Sequence, residues 1–302
     1  MICMPTSGKT RTAPALKKSE IEILRAENFA GLRWLMHGFS TRGGGFSRQY
    51  GRALNLGYTT EDSAPLVERN RAAFLSKLGA IAENGAGWPL VTLRQIHSDL
   101  VHVIERIPRE PVTGDGLVTN VPGLLLAIQS ADCLPVLLAD PKRRAVGALH
   151  AGWRGTLARI VEKGIGEMRH AFGSEPAELM AAIGPGIHSC CYEVGNKLRD
   201  KFDSQFSYSA DLFHEVIESD PVKEKYPLLF LTARAPGHGE AERKLHLDLV
   251  EANRRQLISA GVRPEKISAS PLCTACRPEL LFSHRAEKGI TGRMMGVIAI
   301  RK

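Results

Sequence analysis

Three side chains in this sequence invite chemistry. Cys133 opens the apolar run "CLPVLLAD", His150 closes the run "AVGALH", and Arg154 follows in the glycine-bearing stretch "HAGWRGT". A thiol and an imidazole held together make either a metal site or a nucleophile–base pair. An arginine among glycines suits phosphate: the guanidinium offers forked donors, and glycine lets an anion approach the backbone closely.

The two runs read as antiparallel strands joined through "DPKRR". A two-residue turn at Pro141-Lys142 places Asp140 opposite Arg143 and, further down the ladder, Cys133 opposite His150. Directly opposed residues hold their Cβ atoms about 4.5–5.5 Å apart. That is close enough to share one ion, since zinc sits about 2.3 Å from sulfur and about 2.0 Å from nitrogen. A one-residue slip would send the two side chains to opposite faces. Pro135 marks the first strand as an edge or a bulge.

A catalytic zinc takes three protein ligands and keeps one open position. The best third candidate is His97 in "TLRQIHSDLV", and His37 in "MHGFSTRGGGFS" is its rival. For each of them a structural histidine is the alternative. Asp132, next to Cys133, is placed to orient a ligand, to move a proton, or simply to cap a turn. Arg42 in "STRGGG" is a second candidate for phosphate, with an ordinary loop arginine as the alternative, and Arg285 and Arg293 are further cations.

Around these residues the chain reads as one α+β domain, with a mixed or antiparallel sheet core and helices packed outside. Short strands and turns dominate from Trp34 to His150, interrupted by a helix over Pro65–Leu78 that Gly79 stops. Helices are expected over Thr156–Gly173 and over "LHLDLVEANRRQLISAG", and "MMGVIAI" reads as a buried strand. The basic, polar N-terminus has no hydrophobic segment of a secretory signal. Residues 1–22 are expected to form a disordered tail, and 23–302 a single catalytic domain.

Composition narrows the function. No apolar run approaches the roughly 18 residues of a spanning helix, so no membrane partner and a cytoplasmic location are expected. The excess of 40 basic over 32 acidic residues, a net +8, suits an anionic partner. The basic residues are scattered and aromatics make up only 6%, so nucleic acid is not expected. Six cysteines in a cytosolic chain should stay reduced. The C-x-x-C at Cys273–Cys276, with Cys190 and Cys191, is a weak signal for structural zinc, against plain burial.

The motifs "HGFSTRGGGFS", "RQIHSD", "GDGLVT", "ADCLPVLLAD", "HAGWRGT", "IGPGIHSCCYEVG" and "CTACRPELLFSHRAEKGITGR" resemble, in order, the YfiH/laccase-domain family. Its members were once called multicopper polyphenol oxidases and are now described as zinc-dependent purine nucleoside phosphorylases. The resemblance runs from about Trp34 to the C-terminus. It implies a layered α/β fold around mixed sheets and a metal held by His97, Cys133 and His150. It implies phosphorolysis of adenosine, inosine and methylthioadenosine, so the partners are a purine nucleoside and phosphate. Adenosine deamination is the implied companion activity. It leaves the oligomeric state open.

Two other readings use the same residues. One is a copper-dependent polyphenol oxidase, since a His2Cys set also accepts copper. Against a multicopper centre, none of the ten histidines is two residues from another. The other is a cysteine hydrolase acting in peptidoglycan editing, with Cys133 as nucleophile and His150 or His97 as base.

Overall fold

The computed structural model describes residues 20–217 and 243–302. Most of the expected tail, Cys3 and nearly all of the loop "ARAPGHGEAER" lie outside the described residues. The chain forms two compact units, one running to His188 and including Leu249–Lys302, the other Ser189–Asp248.

In chain order the strands are β1 (Ile23–Leu24), β2 (Leu35–Ser40), β3 (Leu90–Val91), β4 (Leu93–Arg94), β5 (Val101–Val103), β6 (Val112–Thr113), β7 (Gly116–Thr119) and β8 (Leu125–Ser130). They continue with β9 (Leu134–Asp140), β10 (Ala145–Ala151), β11 (Met180–Ile183), β12 (Glu193–Val194), β13 (Phe213–Ile217), β14 (Arg243–Leu247), β15 (Ile267–Ala269) and β16 (Met294–Ile300). The helices are α1 (Ala64–Leu78), α2 (Trp153–Leu157), α3 (Ile160–Phe172), α4 (Asn196–Asp203) and α5 (Leu249–Ser259).

The first unit is built on two large mixed sheets, ordered β1-β2-β16-β8-β3 and β15-β11-β9-β10-β7-β5. Their facing side chains make one core. Phe39, Leu126, Ile128 and Ile298 from the first sheet meet Leu117, Leu137, Val146 and Ala182 from the second. The outer face of the first sheet is covered by α1, whose Phe74, Leu75 and Leu78 pack on Met36, Leu125, Ala127 and Val297. The outer face of the second sheet is covered by α3. The result is a helix–sheet–sheet–helix stack. It explains why β9, β10 and β16 read as continuous apolar runs: both faces of each are covered, and every residue in them is buried.

The α1 helix begins with Pro65 in its first turn and ends as expected at Gly79, which takes φ +81°, a left-handed conformation that glycine adopts without a Cβ clash. The second expected helix is corrected. It starts earlier, at Trp153, and is broken into α2 and α3 at Ala158-Arg159, with Arg159 at φ +64°. Tertiary competition explains the break. The carbonyl of Thr156 accepts from the Gln256 carboxamide at 2.7 Å and from the Arg159 N–H at 3.0 Å. The Asn253 carboxamide holds the Thr156 hydroxyl at 2.9 Å. The stretch "LHLDLV" is also corrected: Leu245–Leu247 end strand β14, and α5 starts at Leu249.

The second unit carries the small antiparallel sheet β12-β14-β13 and α4. Phe202, Phe206 and Phe213 cluster inside it, with ring centroids 5.6 and 5.8 Å apart. No helix among the described residues is long and apolar enough to cross a membrane.

Candidate metal centre

The hairpin β9–β10 forms, but in a different register from the expected one. Asp140 faces Ala145, His150 faces Pro135, and Ala151 faces Leu134. The turn is therefore four residues, Pro141–Arg144. A two-residue hairpin of type I′ needs positive φ at both central positions, and proline is locked near −65°. The wider turn is held by the Asp140 carboxylate, which accepts the N–H groups of Lys142 at 2.8 Å and Arg143 at 3.0 Å. Arg144 takes the left-handed conformation, φ +52°. The change of register is two residues, so faces are preserved. Cys133, one residue before β9, becomes a diagonal neighbour of His150 instead of its direct partner.

His97 arrives from the segment between β4 and β5. The ligand atoms of His97, Cys133 and His150 all lie within 4.8 Å of one another. The Cys133 Sγ is 3.8 Å from His97 Nε2, and the two imidazoles meet edge to face with centroids 4.9 Å apart. His97 is exposed, Cys133 half-buried and His150 buried, so the cluster opens to solvent on the His97 side.

A carboxylate that sequence reasoning passed over lies behind them. Asp115 is fully buried and accepts His150 Nδ1 at 2.8 Å. It also accepts the backbone N–H groups of Ile96, His97 and Ser98 and the Ser98 hydroxyl. It stood inside the quoted motif "GDGLVT", yet no spacing rule linked it to a histidine 35 residues away. Gly152 was also missed. A Cβ there would lie 2.8 Å from Cys133 Sγ and 3.2 Å from His97 Cδ2.

The electrostatics of the cluster are those of a paired thiolate and imidazolium. Burial pushes the Cys133 thiol up, but His150 and His97 more than offset it and bring it down to about 6. Burial alone would lower His150, yet Cys133 and Asp115 raise it to about 9. Burial also opposes the charge of Asp115, and the bonds from His150 and Ser98 hold it well below the usual carboxylate range.

The donors fit a tetrahedral ion. Bonds of about 2.0–2.3 Å at tetrahedral angles put neighbouring donors about 3.5 Å apart, near the thiol–imidazole distance here. Because Asp115 occupies Nδ1 of His150, its Nε2 is left for the ion. Two imidazoles and a thiolate suit zinc and also accept copper.

The other expected residues are placed as follows. Asp132 is buried at φ +90° and accepts the hydroxyls of Thr274 at 2.6 Å and Ser283 at 2.7 Å and the Arg285 N–H at 2.6 Å. It ties the C-terminal loop to the residue beside Cys133. Arg154 lies exposed on α2, its guanidinium 4.3 Å from the Trp153 ring. Arg42 pairs with Glu287 at 3.1 Å, donates to the Pro278 carbonyl and covers Phe282, so its charge is already engaged. Arg293 donates to the carbonyls of Thr291 and Gly292. His37 stands apart from the cluster: its Nε2 accepts the Ala26 N–H at 3.0 Å, and its ring packs edge-on against Phe29. Cys190 and Cys191 belong to the second unit, Cys273 and Cys276 to the first.

The chain is similar to known proteins over most of its length. Residues 36–301 match the family described as multi-copper polyphenol oxidoreductase laccase. The chain is 36% identical over 294 residues to a purine nucleoside phosphorylase of Deinococcus radiodurans, covering 96% of this chain and 95% of that one. It is 31% identical to adenosine deaminase RL5 of an unknown prokaryotic organism, covering 82% of this chain and 86% of that one. The crystal structure of the Bacillus licheniformis hypothetical protein YfiH superposes with a TM-score of 0.76 at 32% identity, covering 94% of this chain and 97% of that one. The order of the motifs, the layered mixed sheets and the His-Cys-His cluster lead to one conclusion: this chain belongs to the YfiH/laccase-domain family.

Proposed function

We propose that this protein is a zinc-dependent purine nucleoside phosphorylase. It transfers the ribosyl group of adenosine, inosine or the ribosyl moiety of methylthioadenosine from the purine to inorganic phosphate. Adenosine deamination is the companion activity, and a cytoplasmic location goes with this reading. The observation that carries it is the convergence of His97, Cys133 and His150 in a chain of this family.

These three residues would hold the ion, with His150 presenting Nε2. A zinc ion so held supplies Lewis acidity and lowers the pKa of water. The remaining work falls to the chain. Arg154, four residues past His150 and unpaired with any carboxylate among the described residues, binds phosphate through its forked donors. Arg42 is the weaker second contact, because Glu287 already shares its charge. Asp132 orients the segment that carries Cys133; its oxygens are occupied by three donors, which leaves it poorly placed to move a proton.

The test is direct. Zinc-loaded protein is incubated with adenosine or inosine, with and without phosphate, and free base and ribose-1-phosphate are measured. Phosphate-dependent base release that disappears in Cys133→Ala is expected, and Arg154→Ala should raise the KM for phosphate at least tenfold. Absence of phosphate-dependent release removes the proposal. Stoichiometric copper with robust phenol oxidation would favour the oxidase instead.

One observation supports a second reading. Asp115, His150 and Cys133 form a relay of the kind that activates a cysteine nucleophile, and the thiol is held well below its ordinary range. Hydrolysis that survives complete chelation would favour a cysteine hydrolase.

A further inference from the structure

We infer that Asp115 is the positioning residue of the metal centre, one carboxylate that sets both histidines at once. This rests on the metal reading of the site. The two histidines come from different segments, His150 from the end of β10 and His97 from the connection between β4 and β5. Neither segment by itself fixes its ring. His97 has φ +60°, a left-handed conformation that costs a non-glycine residue energy and persists only when its surroundings impose it. His97 is also exposed, so packing does not impose it.

Asp115 supplies what is missing. Its Oδ1 accepts His150 Nδ1 at 2.8 Å and the His97 N–H at 3.0 Å. Its Oδ2 accepts the Ser98 N–H at 2.6 Å, the Ser98 hydroxyl at 2.7 Å and the Ile96 N–H at 3.2 Å. Its backbone joins the clamp: the carbonyl accepts the His150 N–H at 2.7 Å, and its own N–H donates to Leu100 O at 3.0 Å. Every side-chain contact is a donor directed at a carboxylate oxygen. An asparagine of the same shape would turn an NH2 group toward one of these sets of donors. One oxygen thus fixes the tautomer and direction of His150, and the other, with it, fixes the turn that presents His97. The site is therefore assembled before any ion arrives.

The experiment compares zinc affinity, by chelator competition, for metal-depleted wild type, Asp115→Asn and Ser98→Ala. Imidazole NMR of the zinc-loaded forms reports whether the Nδ1 proton of His150 is held in a hydrogen bond. Asp115→Asn should bind zinc about 10–100-fold more weakly. The Nδ1 proton of His150 should remain but lose its hydrogen bond, shifting upfield and exchanging faster with water. Ser98→Ala, which removes a single donor, should weaken binding about fivefold. A folded Asp115→Asn with wild-type affinity and an unchanged His150 proton overturns the inference. If Asp115→Asn does not fold, Ser98→Ala with wild-type affinity overturns it. A wild type that takes up no zinc removes this inference and the metal reading together. Zinc binding weakened as stated, without any phosphorolysis, removes only the phosphorylase reading.

Discussion

Gly152 stands against the thiol of Cys133 so closely that a Cβ at that position would lie 2.8 Å from Sγ. The glycine's φ is −80°, so its backbone is one that any residue can adopt. The requirement is space rather than conformation. Gly152→Ala must push Cys133 or His97 away from the other ligands. We expect at least a tenfold loss of zinc affinity and a stability loss of about 1–3 kcal/mol from overpacking. Zinc titration and thermal unfolding of the variant check both; an alanine variant with wild-type affinity would show that the thiol has room to retreat.

Zinc affinity should rise with pH in two regimes. A bound ion needs the thiolate and a neutral His150. In the metal-free protein the pair holds its protons up to about 6 for Cys133 and about 9 for His150. Between these values binding displaces one proton, and affinity climbs about tenfold per pH unit. Below pH 6 the thiol proton must be displaced as well, and the slope steepens. Chelator competition at pH 5.5, 7 and 8.5 measures both slopes; a flat profile from 6 to 9 would mean that His150 is already neutral.

His37 should make the fold sensitive to mild acid. Burial and the nearby Arg25 charge lower it from 6.5 to about 4. Because the folded protein resists protonation of this ring, the unfolded chain binds more protons between pH 6.5 and 4. Its contribution to stability is complete above 6.5 and is lost as pH falls through that window, by about 3 kcal/mol in all. Chemical denaturation at pH 7, 5.5 and 4 tests this. His37→Gln, which retains an acceptor for Ala26, should lose most of that slope.

Gly164→Ala should destabilise, although alanine is the better helix former by about 1 kcal/mol. A Cβ at Gly164 would lie 2.5 Å from Leu149 Cδ1, where α3 rests on β10. Leu149 precedes His150, so the overpacking falls on the strand that carries a ligand. A net loss of about 1–3 kcal/mol in denaturant unfolding is expected. A gain in stability would show that Leu149 repacks freely.

Much of the architecture was legible in the sequence because local rules and tertiary structure agree there. The α1 helix has its proline start and glycine stop, and β9, β10 and β16 are unbroken apolar runs. The break at Arg159 was not legible, because it is enforced from outside by Gln256, which donates to the Thr156 carbonyl 100 residues away from it in the chain. The hairpin turn was misjudged by two residues, since an Asp140 carboxylate competing for backbone donors leaves no trace in apolar periodicity.

The sequence by itself determined which residues have the right chemistry: a thiol, two imidazoles and an arginine, at the ends of strands and in the turns beside them. Period-two alternation also put Cys133 and His150 on one face, and that survived the change of register, because a shift of two residues leaves faces unchanged. Residue pattern left His97 and His37 as rivals, the family resemblance implied His97, and the tertiary structure brings His97 rather than His37 beside Cys133. Each is a histidine near a break in apolar sequence, but His37 spends its nitrogen on Ala26, while His97 is turned toward Cys133. The tertiary structure alone disclosed Asp115, whose bonds reach residues far away in the chain. Donor–acceptor geometry depends on three-dimensional placement, and a linear pattern does not encode it.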